Sequence, residues 1–265
     1  MYKLIAIDLD GTLLNSYGDV SDENKKAIEN ARKRDIEVVL TSGRMSDSVI
    51  AIADEVGANN FMIAGNGALI YDLKNKKTLY NQCIPKEKVL KIIKICEENS
   101  IYYTINTEKY ILAKSLNYNL MYYYYENSKK KEDKKTRINI VEDVEKYICE
   151  NDVGEITKIT ISDETEMIFK GITKKLKEIK GINILEVSNM SRKIINSGTE
   201  KNELRYFYTE ITKENVDKFE ALKKLAEYIG ISTSEIVAIG DNINDLEMIE
   251  KSGLRNNNGK QCISR

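Results

Sequence analysis

A chain of 265 residues that is 42% hydrophobic and 31% charged has the length and apolar content for one large or two modest globular domains, which excludes wholesale disorder. With 41 basic and 42 acidic residues the net charge is −1, so no global field draws the chain to nucleic acid or to a membrane, and neither is an expected partner. It contains no histidine, which removes a histidine general base, a Ser-His-Asp triad and every histidine metal site.

In chain order, Tyr2 to Leu9 reads as a buried strand that begins at once, without a signal peptide. Ser21 is placed to cap a helix with Asp22 and Glu23 in its first turn and Ala27, Ile28 and Ala31 on one face. "EVVLT" is a second strand, "SDSVIAIADEVG" a second helix stopping at Gly57, and "FMIA" a third strand. This order implies a parallel sheet covered by helices. "ALIYD" and "KTLYN" then flank a polar turn as a hairpin. From about Pro85 to Asn202, helices such as "KEKVLKIIKICEEN" and "TEMIFKGITKKLKEI" mix with strands such as "IYYTIN", "YILAK", "EITKITIS" and "INILEV". That mixture reads as an α+β insertion, within which "SKKKEDKKTR" (128–137) is a solvated loop. Helix and strand resume with "NVDKFEALKKLAEYIG", "EIVAIG" and "NDLEMIEKSG". Cys83, Cys96, Cys149 and Cys262 form no CxxC pair, and in a chain without an export signal they are expected to be reduced, in a cytoplasmic protein.

The chemistry-bearing residues stand where the strands end. The first ends in Asp8-Leu9-Asp10-Gly11-Thr12, the second in Thr41-Ser42-Gly43-Arg44, the third in Gly65-Asn66-Gly67, and the last core strand in Gly240-Asp241-Asn242-Ile243-Asn244-Asp245. In a parallel sheet these ends converge on one crevice. Asp8, Asp10, Asp241 and Asp245 would then repel one another and lose hydration together. A hard divalent cation with oxygen ligands resolves the conflict, and Mg²⁺ is the expected cofactor. Lys218, opening a late helix, adds positive charge. The Ser42 hydroxyl and the backbone N–H groups after Asp8 and Ser42, those of Leu9 and Gly43, can bind an oxyanion. Together these parts make a phosphoryl site.

"DLDGTL", "TSGR", a lysine opening a later helix and "GDNIND" resemble the four signature blocks of the haloacid dehalogenase-like superfamily. "NGA" (66–68), the insertion and "VDKFEALKKLAEYIGI" resemble its Cof-type branch, whose members carry a large cap and are mostly Mg²⁺-dependent phosphatases. The resemblance spans almost the whole chain. It implies an α/β fold with a Rossmann-like parallel-sheet core, residues 1–84 and 205–265, and an inserted α+β cap domain, residues 85–204. It implies Asp8 as nucleophile and Asp10 as general acid and base. Leu9, Ser42, Gly43, Lys218 and Asn244 would hold the phosphate, and Asp8, Asp10 (through its backbone carbonyl), Asp241 and Asp245 the metal or its surroundings. The implied partner is a small phosphorylated metabolite, a sugar phosphate or a phosphorylated cofactor. A sugar-phosphate mutase and an inactive phosphate-binding chain are the alternatives. Arg44 and Asn66 are read as shaping the site. Tyr118 and Tyr122 to Tyr125, at helical spacing, are read as cap core and surface, with stacking on a ring substrate as the other possibility. Beyond Ser252-Gly253-Leu254 the resemblance stops, and the chain is expected to lack an "AMGNA"-like segment and the family's last elements after it, by truncation or frameshift. The sheet edge beside Asp241 is then expected to be poorly covered.

Overall fold

A computed structural model describes residues 1–15, 18–128, 132, 135–185, 191–197 and 200–257. They form two compact units, Met1–Gln82 with the described residues from Val216 onward, and Cys83–Asn215.

The first unit opens as β1 (Leu4–Asp8), α1 (Asp22–Arg32), β2 (Glu37–Thr41), α2 (Ser46–Val56) and β3 (Phe61–Ala64), then the antiparallel hairpin β4 (Leu69–Asp72) and β5 (Lys77–Asn81). The start of α1 is fixed by its cap, the Ser21 Oγ accepting the Asn24 N–H at 3.2 Å.

The second unit runs α3 (Lys86–Glu98), β6 (Tyr102–Thr107), β7 (Ile111–Ala113), α4 (Tyr118–Asn127), β8 (Ile138–Ile140), α5 (Val144–Glu150), β9 (Ile156–Asp163), α6 (Glu166–Leu176), β10 (Ile182–Ile184), β11 (Ser191–Ser197) and β12 (Glu200–Lys213). Its sheet has the order β10-β12-β9-β6-β7-β8, with β11 also paired to β12. The two-residue period of the strands divides its faces. Ile105, Ile159, Ile161 and Ile211 share one apolar core with Ile92 and Ile93 of α3 and Phe169 and Ile172 of α6. Thr104, Asn106, Lys158, Thr160 and Ser162, at the intervening positions, are buried polar groups. Lys158 among them pairs with Glu210 at 2.6 Å. Tyr118 packs its ring against Tyr102 and Tyr206, at centroid distances of 5.3 and 5.2 Å, so it belongs to this unit's own aromatic cluster. Tyr124 is exposed.

The chain leaves this unit later than residue 204. β12 carries it on to Lys213, with Phe207 to Ile211 in antiparallel register with β9, and Ile211 is completely buried. The alternation in "ELRYFYTEIT" is the sequence signal for that strand. Half of 128–137, namely 129–131, 133 and 134, lies outside the described residues.

The first unit then resumes with α7 (Lys218–Ile229), β13 (Ile236–Gly240), α8 (Leu246–Lys251) and β14 (Leu254–Asn257). Its sheet has the order β14-β13-β1-β2-β3-β4-β5, parallel from β14 to β3. β13 itself is paired on both sides, and among the described residues β14 forms the edge of the sheet. β14 pairs with β13 from Val237↔Leu254 to Gly240↔Asn257, so part of the asparagine-rich run is strand. The unpatterned residues 258–265 lie outside the described residues. Leu40 and Met62 pack with Val49 and Ala53 of α2 on one side of the sheet. On the other, Ala6, Val39 and Ala238 pack with Leu222 and Leu225 of α7. Leu222 and Leu225 are fully buried, and each contributes roughly 2 kcal/mol by leaving water. The register places Asp8 beside Thr41 and Ile7 beside Ile239, so the polar segments following β1, β2 and β13 emerge at one end of the sheet. Among the described residues no helix is long and apolar enough to cross a membrane.

Candidate active site

Asp8 is the last residue of β1 and is buried with its carboxylate turned to Lys218, whose Nζ lies 2.5 Å from the Asp8 Oδ1. The same Nζ donates to Asp245 Oδ1 at 2.6 Å. Lys218 is 1% exposed and Asp245 is wholly buried. Lys218 owes its place to α7, whose N-terminus is capped by Asp217 accepting the Glu220 N–H at 2.8 Å. Asp245 also accepts the backbone N–H groups of Asp241 and Asn242 through Oδ2, at 3.2 and 3.1 Å, closing the turn after β13. Burial, above all, pushes the Asp8 carboxyl up to about 6; Lys218 draws it down, while Asp245 and Asp10 push it up. Burial works against the charge of Lys218, but Asp8 and Asp245 outweigh it and hold the ammonium above its usual value.

Asp8, Asp241 and Asp245 each bring a carboxylate oxygen within 4.8 Å of the others. Asp241 is oriented by Thr12, whose Oγ1 donates to its Oδ1 at 3.0 Å. Gly11 allows this approach: its φ is +89°, and a Cβ there would stand 2.3 Å from Asp241 Oδ2. One lysine does not balance three crowded carboxylates. The donors are all oxygen, the set that a hard divalent cation takes, so these residues fit such an ion.

Ser42 is 1% exposed, and its Oγ accepts the Arg44 N–H at 3.1 Å. Gly43 follows it in the same turn. Leu9 is completely buried, and its carbonyl accepts the Leu14 N–H at 2.9 Å. Asn244 donates from Nδ2 to Asn66 Oδ1 at 3.0 Å, and its own Oδ1 is buried without a hydrogen-bond partner among the described residues. Asp10 is held by a different partner: its side chain is 61% exposed and is gripped by Arg44. Its carboxylate is thus not one of the three that cluster.

Sequence reasoning assigned no part to Thr12 and left Asn66 and Arg44 as unspecific shapers of the site. Thr12 stands in "DLDGT" and Asn66 in a Gly-Asn-Gly turn, but their partners are 229 and 178 positions away. The turn has a further duty. Gly67 has φ +99°, and a Cβ there would stand 2.1 Å from the Asp217 carbonyl oxygen, immediately before Lys218. Gly67→Ala is expected to destabilise the chain by about 2–3 kcal/mol through backbone strain and overpacking. It should also lower activity by displacing the start of α7. Urea unfolding of the variant measures the first effect, and an unchanged midpoint would count against this packing.

The chain belongs to the haloacid dehalogenase-like hydrolases, whose family model matches residues 5–256. It is an enzyme of their phosphatase group. It is 29% identical over 262 residues to the phosphatase YwpJ of Bacillus subtilis (strain 168), covering 95% of this chain and 87% of that one. It is 30% identical over 269 residues to the 5-amino-6-(5-phospho-D-ribitylamino)uracil phosphatase YwtE of the same organism, covering 96% and 86%. Among solved structures, a haloacid dehalogenase-like hydrolase from B. subtilis superposes with a TM-score of 0.75 at 25% identity, over 95% of this chain and 87% of that one.

Proposed function

We propose that this phosphatase hydrolyses small phosphorylated metabolites, sugar phosphates or phosphorylated cofactors, through an aspartyl-phosphate on Asp8 in a Mg²⁺-dependent reaction. The observation that carries the reading is the buried Asp8–Lys218–Asp245 cluster, with Asp241 beside it at the strand ends. Asp8 attacks phosphorus, and the bond from phosphorus to the substrate oxygen breaks as Asp10 gives that oxygen a proton. Asp10 then takes a proton from water, whose oxygen displaces Asp8 and releases inorganic phosphate. Lys218 offsets charge on the nucleophile and the phosphoryl group. The Ser42 hydroxyl, the N–H groups of Leu9 and Gly43 and the Asn244 amide bind phosphoryl oxygens. Asp8, the Asp10 backbone carbonyl and Asp241 would hold Mg²⁺, with Asp245 supporting them. The bound ion supplies charge stabilisation at the transferring group. The phosphoribityl substrate named for YwtE supports a polyol or sugar phosphate as the substrate class.

The test is phosphate release from 4-nitrophenyl phosphate and a panel of sugar phosphates, with Mg²⁺ and with excess chelator. Release is expected to need the metal and to fall by about 10⁴-fold or more in Asp8→Asn. Release that survives this substitution would exclude Asp8 as nucleophile. Isomerised sugar phosphate without free phosphate would indicate a mutase.

A further inference from the structure

Arg44 holds Asp10 with both arms of its guanidinium. Nε donates to Asp10 Oδ2 at 2.9 Å and Nη2 to Oδ1 at 2.6 Å, a two-point grip that fixes the plane of the carboxylate as well as its position. Arg44 is itself anchored on three sides. Its backbone N–H donates to Ser42 Oγ at 3.1 Å, its carbonyl accepts the Gly65 N–H at 3.0 Å, and Nη1 donates to Ser48 Oγ in the first turn of α2 at 3.3 Å. The guanidinium side chain is 25% exposed, whereas the Asp10 side chain is 61% exposed. An aspartate that open to water has its rotamers within reach unless something selects one. A lysine at position 44 would offer a point charge without the fork.

We propose that Arg44 is the positioning residue for Asp10, holding its carboxylate where it can meet the leaving oxygen and tying it to the Ser42 turn that receives the phosphoryl group. The proposal rests on Asp10 being the general acid and base. Proton transfer needs the carboxyl within hydrogen-bond reach of the leaving oxygen. An alkoxide leaves only with a proton, whereas a nitrophenolate leaves without one. Loosening Asp10 therefore slows the cleavage of alkyl phosphates and spares that of activated aryl phosphates.

The experiment is single-turnover release of the alcohol or phenol, so that later hydrolysis of the phosphoenzyme does not enter. Wild type, Asp10→Asn, Arg44→Ala and Arg44→Lys are compared on an alkyl phosphate and on 4-nitrophenyl phosphate. Both Arg44 variants are expected to lose about 10–100-fold on the alkyl ester, part of what an acid contributes, and less than about 3-fold on the aryl ester. Free guanidinium ion should partly restore Arg44→Ala on the alkyl ester alone. If Asp10→Asn shows the leaving-group split and the Arg44 variants do not, the proposal is overturned and the reading of Asp10 stands. An equal loss on both esters overturns it too, because Arg44 would then serve phosphate binding or folding. If Asp10→Asn shows no split, the reading of Asp10 fails and the proposal with it. Arg44→Lys keeps the charge and serves as the test if Arg44→Ala does not fold.

Discussion

Replacing Lys218 with methionine is expected to cost the metal-free protein about 3–5 kcal/mol at neutral pH, the penalty for leaving buried charges without their partner. The reason is charge balance. Lys218 bridges Asp8 and Asp245, at 2.5 and 2.6 Å, in a site where the three side chains are 1%, 7% and 0% exposed respectively. Methionine fills much the same volume, so the effect is electrostatic and not a cavity. Two features separate this account from a simple packing loss. Acidification should restore stability, since protonating either carboxylate relieves the repulsion. Mg²⁺ should restore it as well, by mass action on the folded state. Activity should fall by about 100-fold or more even in saturating Mg²⁺, because the transferring phosphoryl group loses a preorganised cation. Urea unfolding at pH 5 and pH 7, with and without Mg²⁺, measures all but the last. A variant as stable as wild type at pH 7 without metal would exclude a net-charge role for Lys218.

Asp8→Asn should have the opposite sign on stability. With Asp8 neutral, Lys218 and Asp245 form a balanced pair. Asp8 has its carboxyl raised to about 6 in the folded chain, chiefly by burial. An acid raised on folding resists ionisation in the folded state. It contributes no penalty below its unfolded value near pH 4, a growing one between about 4 and 6, and the full one at neutral pH. That penalty is about 3 kcal/mol at the top of the range, so the metal-free variant should melt higher than wild type at pH 7. The gain should shrink as pH falls towards 4. Asp8, the proposed nucleophile, is thus a residue the fold keeps at its own expense, and its removal is expected to exchange activity for stability. Thermal melts of both proteins across pH 4–7 in chelator check this; a lower melting temperature for the variant throughout would refute it.

The positions of the carboxylates were legible because each sits where an apolar run meets a polar turn. Asp8 follows "LIAI" and Asp241 follows "IVAIG", and a parallel sheet leaves such residues one common end to occupy. Lys218 was legible from its place at the start of an amphipathic helix. The hydrogen bonds among these residues were not. Arg44 gripping Asp10, Thr12 turning Asp241 and Asn66 meeting Asn244 join segments that local periodicity treats as independent. The end of the inserted unit was misjudged for a different reason. β12 is 14 residues long and carries Arg205 and Glu210 among its aromatic and apolar side chains, so its alternation reads less cleanly than that of "EITKITIS". The short strand β14 carries no alternation at all: Leu254–Asn257 is held by backbone pairing to β13, which side-chain pattern does not report.

The same topology bears on when the enzyme can work. Asp8 belongs to the first strand, while the lysine that neutralises it lies 210 positions later, beyond the whole of the second unit. Synthesis proceeds from the N-terminus at roughly 5–20 residues per second, and compact units tend to fold as they emerge. The inserted unit, with its own core, can form while the first sheet still lacks β13 and one of its two helical layers. A ribosome-bound chain is therefore expected to lack the Asp8–Lys218 pair until the residues after Val216 are made.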